Sequence, residues 1–88
     1  MKITQYDKIL LAMLKNKEKK EWKATDFQHG EYFVGYEATA RMSELAKMYP
    51  LQVRVGKEGR FRTLYLDWDF VNEEFKKQVN GYYTSNQE

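Results

Sequence analysis

Four cationic residues lie close together in the third quarter of the chain. They are Arg54, Lys57, Arg60 and Arg62. Gly56 and Gly59 flank Lys57 and Glu58, which is typical of a turn, so the cations are expected around the tip of a β-hairpin. Cations at such a tip can neutralise the phosphates of nucleic acid, which gives affinity without sequence information. Charged hairpin tips also prevent edge-to-edge pairing of strands, and this alternative stays open.

A second group of side chains shares the outward face of a helix predicted over residues 36–49, which Pro50 ends. At about 100° per residue, the inward stripe of that helix is apolar and the outward face is small and polar near its start. The core stripe holds Ala38, Met42, Leu45 and Tyr49, and the outward face holds Tyr36, Thr39, Ala40, Ser43 and Lys47.

Small polar side chains let a helix approach another surface closely. Thr39, Ala40 and Ser43 could contact base edges or thymine methyl groups in a DNA groove. Tyr36 and Lys47 could contact phosphates. Ordinary solvated helix surface is the alternative, and the acidic Glu37 and Glu44 would weaken any contact with phosphate. Arg41 lies between these two at helical spacing, which favours an ion pair within the helix over a base contact.

Residues for catalysis or metal binding are scarce. The chain has no cysteine, which excludes disulfides and thiolate metal sites. It has no glycine-rich phosphate loop, no cluster with metal-ligand spacing and no nucleophile beside a base. The only histidine, His29, lies in a polar stretch and is expected to be exposed to solvent. We therefore expect neither enzymatic activity nor a cofactor.

The remaining pattern predicts the elements that position these residues. A first helix has Tyr6, Ile9, Leu10, Met13 and Leu14 on one face, with Thr4 as its N-cap and Asp7 near its positive end. A short second helix is expected over residues 22–27, with Thr25 or Asp26 as a cap, and residues 28–35 leave a long connection to the third helix.

Two strands and a last helix follow the third helix. Residues 51–55 alternate apolar and polar side chains, residues 56–59 suit a turn, and residues 60–68 form the returning strand. Its buried face is open, because Leu64, Leu66 and Trp68 share one side while Phe61 and Tyr65 share the other. Asp69 could cap a final helix in which Val71, Phe75 and Val79 step by four, and Gly81 suits its end.

This order predicts an α+β fold of the winged-helix type: a three-helix helix-turn-helix core, a β-hairpin wing and a C-terminal helix. The segment Gly35 to Ala46, followed by Tyr49, Pro50 and the basic hairpin, resembles small winged-helix proteins of bacteriophage and prophage genomes, which are mostly uncharacterised. The resemblance covers residues 35–66. It implies a DNA-binding protein, such as a regulator of transcription or an accessory to DNA processing, whose third helix presents Tyr36, Thr39, Ala40 and Ser43 to base edges.

Length and charge limit the remaining possibilities. Eighty-eight residues make one domain, expected over 1–81, with 82–88 as a disordered tail. The net charge of +2 is mild, but residues 37–66 carry six Lys or Arg against three Glu. No stretch resembles a signal peptide or a membrane span, so we expect a cytoplasmic protein whose partner is double-stranded DNA. The alternative is a protein-interaction module without DNA binding, in which Val71, Phe75 and Val79, with Tyr82 and Tyr83, form a homodimer or partner surface.

Overall fold

The computed structural model of the chain describes residues 3–82, which form four α-helices and a three-stranded antiparallel sheet. The helices are α1 (Gln5–Lys15), α2 (Ala24–Gln28), α3 (Ala38–Met48) and α4 (Glu73–Gln78). The strands are β1 (Trp22–Lys23), β2 (Val53–Glu58) and β3 (Phe61–Leu66), in the spatial order β1-β3-β2. Short 3-10 turns lie at Gly30–Tyr32 and Trp68–Phe70. The predicted α+β class is confirmed.

Helix α1 begins as its sequence predicts. The Thr4 hydroxyl accepts a hydrogen bond from the backbone N–H of Asp7, and the Asp7 carboxylate accepts one from the backbone N–H of Thr4. This reciprocal capping box satisfies N–H groups that the first helical turn leaves without partners. The predicted apolar face is buried, with Ile9, Leu10 and Met13 almost fully enclosed.

The prediction of a helix from Trp22 is wrong at its first two residues. Trp22 and Lys23 are extended and pair with Leu64 and Thr63 of β3, so they form an additional strand. The extended backbone carries the Trp22 ring into the core, where it stacks on Phe27 with 5.1 Å between ring centroids. Helix α2 starts only at Ala24. Thr25 and Asp26 therefore lie inside the helix, although the Asp26 carboxylate does accept from the Lys23 N–H.

The connection between α2 and α3 is long, as the sequence indicated, and it has defined anchors. The backbone N–H groups of Val34 and Gly35 both donate to the carbonyl of Phe27, at 2.7 and 3.3 Å. Helix α3 begins two residues later than predicted and ends at Met48. Its core stripe is confirmed: Ala38, Met42 and Leu45 are buried, and Tyr49 packs against the core beside them.

The hairpin lies at a different place along the chain and turns more tightly than predicted, since β2 and β3 span residues 53–58 and 61–66 instead of 51–55 and 60–68. Gly56 lies within β2, opposite Thr63, because the chain reverses at Gly59 and Arg60 instead. Gly59 has φ +61°, which suits the first central position of a two-residue type II′ turn.

The buried face of β3, which the sequence left open, carries Leu64 and Leu66. Val53 of β2 lies on the same face, opposite Leu66. On the other face Thr63 is also fully buried, and its hydroxyl donates to Glu21 at 3.2 Å. Glu21 therefore contacts the side of the sheet that lies away from the helices.

The C-terminal segment differs from its prediction. Asn72, not Asp69, caps α4, and Asp67 caps the 3-10 turn before it. Val71 precedes α4 and Val79 follows it, so the step of four residues does not mark one helix. Phe75 and Val79 are buried in the core of the same chain, which corrects the expectation that they form a dimer surface.

Tyr82, one residue beyond the predicted domain boundary at 81, is partly buried against the core. The rest of the predicted tail, residues 83–88, lies outside the described residues. Across residues 3–82, no helix has both the length and the apolar character needed to span a membrane.

Candidate nucleic-acid interface

A cleft of about 160 Å³ separates α3 from the β2–β3 hairpin. Thr39, Met42 and Ser43 form its α3 side, and Val55, Leu64, Arg60 and Arg62 belong to the hairpin side. The cleft thus brings together four of the predicted DNA-contacting residues, namely Thr39, Ser43, Arg60 and Arg62.

The hairpin cations differ in what they contact. Strand alternation places Arg62 on the same face of β3 as Leu64, toward the helices, and its guanidinium lies 3.5 Å from the Ser43 hydroxyl. Lys57 is paired opposite Arg62 and is exposed, as is Arg60 in the turn. Within residues 3–82, neither Lys57 nor Arg60 has an acidic partner. Their charges are therefore not neutralised within this part of the fold.

The other predicted contacts on α3 are exposed, as expected. Ala40 and Lys47 lie on its outward face, and Tyr36, just before the helix, is 79 % exposed. The Tyr36 ring meets the exposed ring of Phe33 edge-on at 5.5 Å between centroids. The backbone of Tyr36 is held by Gln28, whose side-chain amide donates to its carbonyl at 3.1 Å. The chain thus presents two aromatic rings beside the start of α3.

Arg54 is the predicted contact that the structure does not bring to this surface. It is paired opposite Tyr65, on the face of the sheet that points away from α3. Its guanidinium lies 3.6 Å from the Asp67 carboxylate, and its side chain is partly buried. The period of two along β2 decides this, because Arg54 and Lys57 are three residues apart and therefore lie on opposite faces.

The acidic residues of α3 are held on a different side of the helix from the cleft. Arg41 pairs with Glu37 at 3.2 Å and with Glu44 at 2.6 Å, as predicted. The Arg41 guanidinium also donates to Tyr6 and Gln5 of α1, and the Tyr6 hydroxyl donates to Glu44. The hydrogen bond with Tyr6, then the charge of Glu44, raises the pKa of Arg41 above its usual value. The single Arg41 guanidinium holds both carboxylates along the seam between α3 and α1 and offsets one of their two negative charges.

The cleft is also lined by several residues that the sequence did not single out for binding. Thr25 comes from α2, Lys23 from β1 and Val55 from β2. Thr25 was expected only as a helix cap, and Lys23 joins the cleft through a strand that the sequence pattern did not reveal. Lys23 lies 3.5 Å from the Glu58 carboxylate and 5.5 Å from the centre of the Phe61 ring. Long-range pairing of β1 with β3 places Lys23 beside the cleft, and no local signal in the sequence indicated this.

A metal centre has no counterpart in this part of the chain. Over residues 3–82, no three His, Cys, Asp or Glu side chains come close enough together to hold a metal ion.

Comparison with known proteins gives no match among protein-family models, curated proteins or solved structures. The cleft and the surface around it therefore carry the argument for function.

Proposed function

We propose that the chain is a winged-helix protein that binds duplex DNA, with α3 in the major groove and the β2–β3 hairpin on the sugar-phosphate backbone. The order of elements supports this architecture, since three helices precede the hairpin and β1 joins it in one antiparallel sheet. The resemblance of residues 35–66 to small phage and prophage proteins agrees with it. A regulator of transcription or an accessory to DNA processing, acting in the cytoplasm without a cofactor, fits such a protein.

The observation that carries this proposal is that polar side chains of α3 and the hairpin cations border one cleft. Thr39 and Ser43 lie on the helix side, while Arg60 and Arg62 lie across from them. A helix in the major groove and a hairpin beside it place a sugar-phosphate strand between them. That strand would pass over cations that have no acidic partner among residues 3–82.

The charge distribution supports the same surface. Glu37 and Glu44, which argue against DNA contact when only the sequence is considered, are paired with Arg41 on the α1 side of the helix. Lys57 and Arg60 extend from the other side of the cleft and are exposed. The approach to a phosphate strand is therefore cationic at the hairpin, while Arg41 holds both acidic side chains toward α1 and offsets one of their two charges.

The residues divide the binding between them. Thr39, Ala40 and Ser43 read base edges, because small polar side chains allow α3 to enter the groove closely. Lys57, Arg60 and Arg62 bind phosphates, and Tyr36 and Lys47 add contacts to the backbone at either end of α3. Arg54 takes no part.

The protein-interaction alternative is weakened, because two of the side chains on which it relies are buried. Its proposed contact through Val71, Phe75 and Val79 needs these side chains at the surface, and Phe75 and Val79 are 2 % exposed. Duplex binding is therefore the function that the geometry favours.

The first test is a titration of labelled random-sequence duplex with the protein, in which fluorescence anisotropy measures binding at several salt concentrations. Contacts to roughly three to five phosphates predict that log affinity falls against log salt with a slope of about −3 to −4. No binding even at low salt would overturn the proposal.

A second test isolates the hairpin. Lys57→Glu with Arg60→Glu removes two phosphate contacts and introduces two repulsive charges, so we expect duplex binding to be lost near physiological salt. Lys15→Glu with Lys77→Glu changes the net charge equally at exposed positions that do not line the cleft, and should bind far better than the hairpin variant. Circular dichroism checks that both variants are folded. Equal DNA affinity of the hairpin variant and the unaltered protein would rule out the role of the hairpin.

A further inference from the structure

We propose that the cleft binds a small planar anion with a single ring, and that a bound anion excludes DNA. The proposed binding of the anion depends only on the volume and the lining residues of the cleft. Only the competition with DNA rests on the function proposed above. The two can therefore fail independently.

The size and floor of the cleft define the body of the ligand. Its volume is about 160 Å³, close to the roughly 150 Å³ of an apolar cavity in another protein that takes up benzene. Val55, which is exposed, supplies apolar surface to the cleft, and the almost fully buried Met42 and Leu64 lie at its base. An apolar slot of this size between a helix and a sheet suits one flat ring.

The charge of the lining defines the group that the ring carries. Lys23, Arg60 and Arg62 line the cleft, and none of the described residues that line it is acidic. Lys23 is already paired with Glu58, but within residues 3–82 the two guanidiniums have no carboxylate partner. Guanidinium groups bind carboxylates and phosphates in a bidentate manner, so they would hold the anion at the mouth of the cleft.

Hydroxyl groups complete the lining. Thr25, Thr39 and Ser43 border the cleft from α2 and α3, and Ser43 already lies 3.5 Å from Arg62. A few polar groups around an apolar pocket are the usual arrangement for fixing the orientation of a small ligand. The shared chemistry is a ring with a carboxylate or phosphate, whether a free aromatic acid or a pyrimidine nucleotide.

Competition follows from shared residues. Arg60 and Arg62 bind phosphates in the proposed DNA complex, and the same guanidiniums would hold the anion. The protein cannot use them for both partners at once. A ligand in the cleft would therefore release the duplex.

The binding test is an NMR titration of the ¹⁵N-labelled protein with benzoate. We expect saturable shifts of amide signals around the cleft, with a millimolar dissociation constant typical of so small a ligand. Benzamide keeps the ring without the charge, and cyclohexanecarboxylate keeps the charge without the flat ring, so both should bind at least several-fold more weakly. Absence of saturable shifts at the cleft, or equal binding of all three compounds, would overturn the proposal.

Two variants locate the site. Arg62→Gln should weaken benzoate binding about tenfold, since it removes a charge-assisted contact, and should leave the weak binding of benzamide unchanged. Ser43→Leu should fill the cleft and abolish binding of benzoate. The amide spectrum shows directly whether each variant is folded. Unchanged benzoate affinity in Arg62→Gln would contradict the assignment even if Ser43→Leu fails to fold.

The competition and the source of the ligand are tested together at constant ionic strength. Benzoate at roughly ten times its dissociation constant should weaken duplex binding about tenfold by mass action, while benzamide should not. Thymidine monophosphate that binds the cleft more tightly than benzoate would identify a nucleotide as the ligand, and the reverse order would identify a free acid. Benzoate bound at the cleft together with undiminished duplex affinity would refute the competition, whereas absence of any duplex binding would refute the proposed function alone.

Discussion

A close contact requires glycine at position 56, and the neighbouring residues in the sequence do not reveal that contact. A Cβ atom at this position would lie 2.8 Å from the Thr63 hydroxyl oxygen and 2.9 Å from a Glu21 carboxylate oxygen. Glu21 is exposed and can move, but Thr63 is short and fully buried. The close approach of β2 to Thr63 therefore requires glycine at position 56. Of the two glycines predicted for the turn, only Gly59 lies in it.

We predict that Gly56→Ala lowers the free energy of unfolding by about 1–3 kcal/mol, because overpacking a rigid site costs that much. Urea denaturation followed by circular dichroism measures the change. Thr63→Ala removes the hydroxyl that causes the crowding, so Gly56→Ala should cost less in that background. An equal cost in both backgrounds would show that the contact with Thr63 is not responsible.

The residues of the proposed interface differ in how well the sequence alone predicted their positions. Thr39 and Ser43 were placed on the outward face of α3 from helical periodicity, which is a local property, whereas Arg62 was included because it is close in sequence to the other hairpin cations. Arg54 was misplaced because the four cations were grouped by proximity in sequence, whereas β2 directs it toward Tyr65 and Asp67. Strand alternation alone would have separated it from Lys57.

Among the elements, α1 and the C-terminal segment are joined by one buried carboxylate. Asp7, 6 % exposed, completes the capping box of α1 and also accepts hydrogen bonds from the backbone N–H and the side-chain amide of Asn80, each at 3.2 Å. The sequence predicted a role for Asp7 only at the start of its own helix. The contact with Asn80 spans most of the chain and has no local signature.

We predict that Asp7→Ala destabilises the protein by about 2–3 kcal/mol, since it removes a helix cap and leaves the Asn80 donors without their acceptor. Thr4→Ala removes only the cap and should cost about 1 kcal/mol. Denaturation in urea measures both losses. Hydrogen exchange adds a local test: the Asn80 amide should exchange faster in Asp7→Ala than in Thr4→Ala, and similar rates would show that Asp7 does not anchor the C-terminal segment.

The elements differ in how well their sequences specify them. Helices α1 and α3 were predicted nearly to the residue because their apolar side chains repeat at helical spacing. Strand β1 was missed because two residues carry no periodicity, and only Leu64 and Thr63, far along the chain, define their pairing. Val71, Phe75 and Val79 mimicked one helix, yet only Phe75 lies within α4.

For the whole molecule, the C-terminal segment is part of the core and not an appendage. Phe75 is 2 % exposed and its ring meets Tyr49, just after α3, edge-on at 5.2 Å between centroids. Val79 is equally buried. The segment therefore packs against Tyr49, directly after α3, on the side of that helix opposite to its outward face.

We predict that Phe75→Ala lowers the free energy of unfolding by about 3–5 kcal/mol, the usual cost of emptying a buried aromatic site. A small domain has only about 5–15 kcal/mol in total, so the melting temperature should fall sharply. Calorimetry measures this loss, and light scattering at a temperature where the variant stays folded should show an unchanged mass. A change of mass with little loss of stability would favour the dimer surface instead.

The anchoring of the connection before α3 bears on how the molecule can vary over evolutionary time. Its two clamping hydrogen bonds run from the backbone of Val34 and Gly35 to the carbonyl of Phe27, so any residue except proline could donate them. The exposed His29 and Glu31 can therefore change without altering these two donors, whereas Gly30, at φ +76°, favours glycine. A lineage could accumulate substitutions at His29 and Glu31 while the orientation of α3 is inherited unchanged.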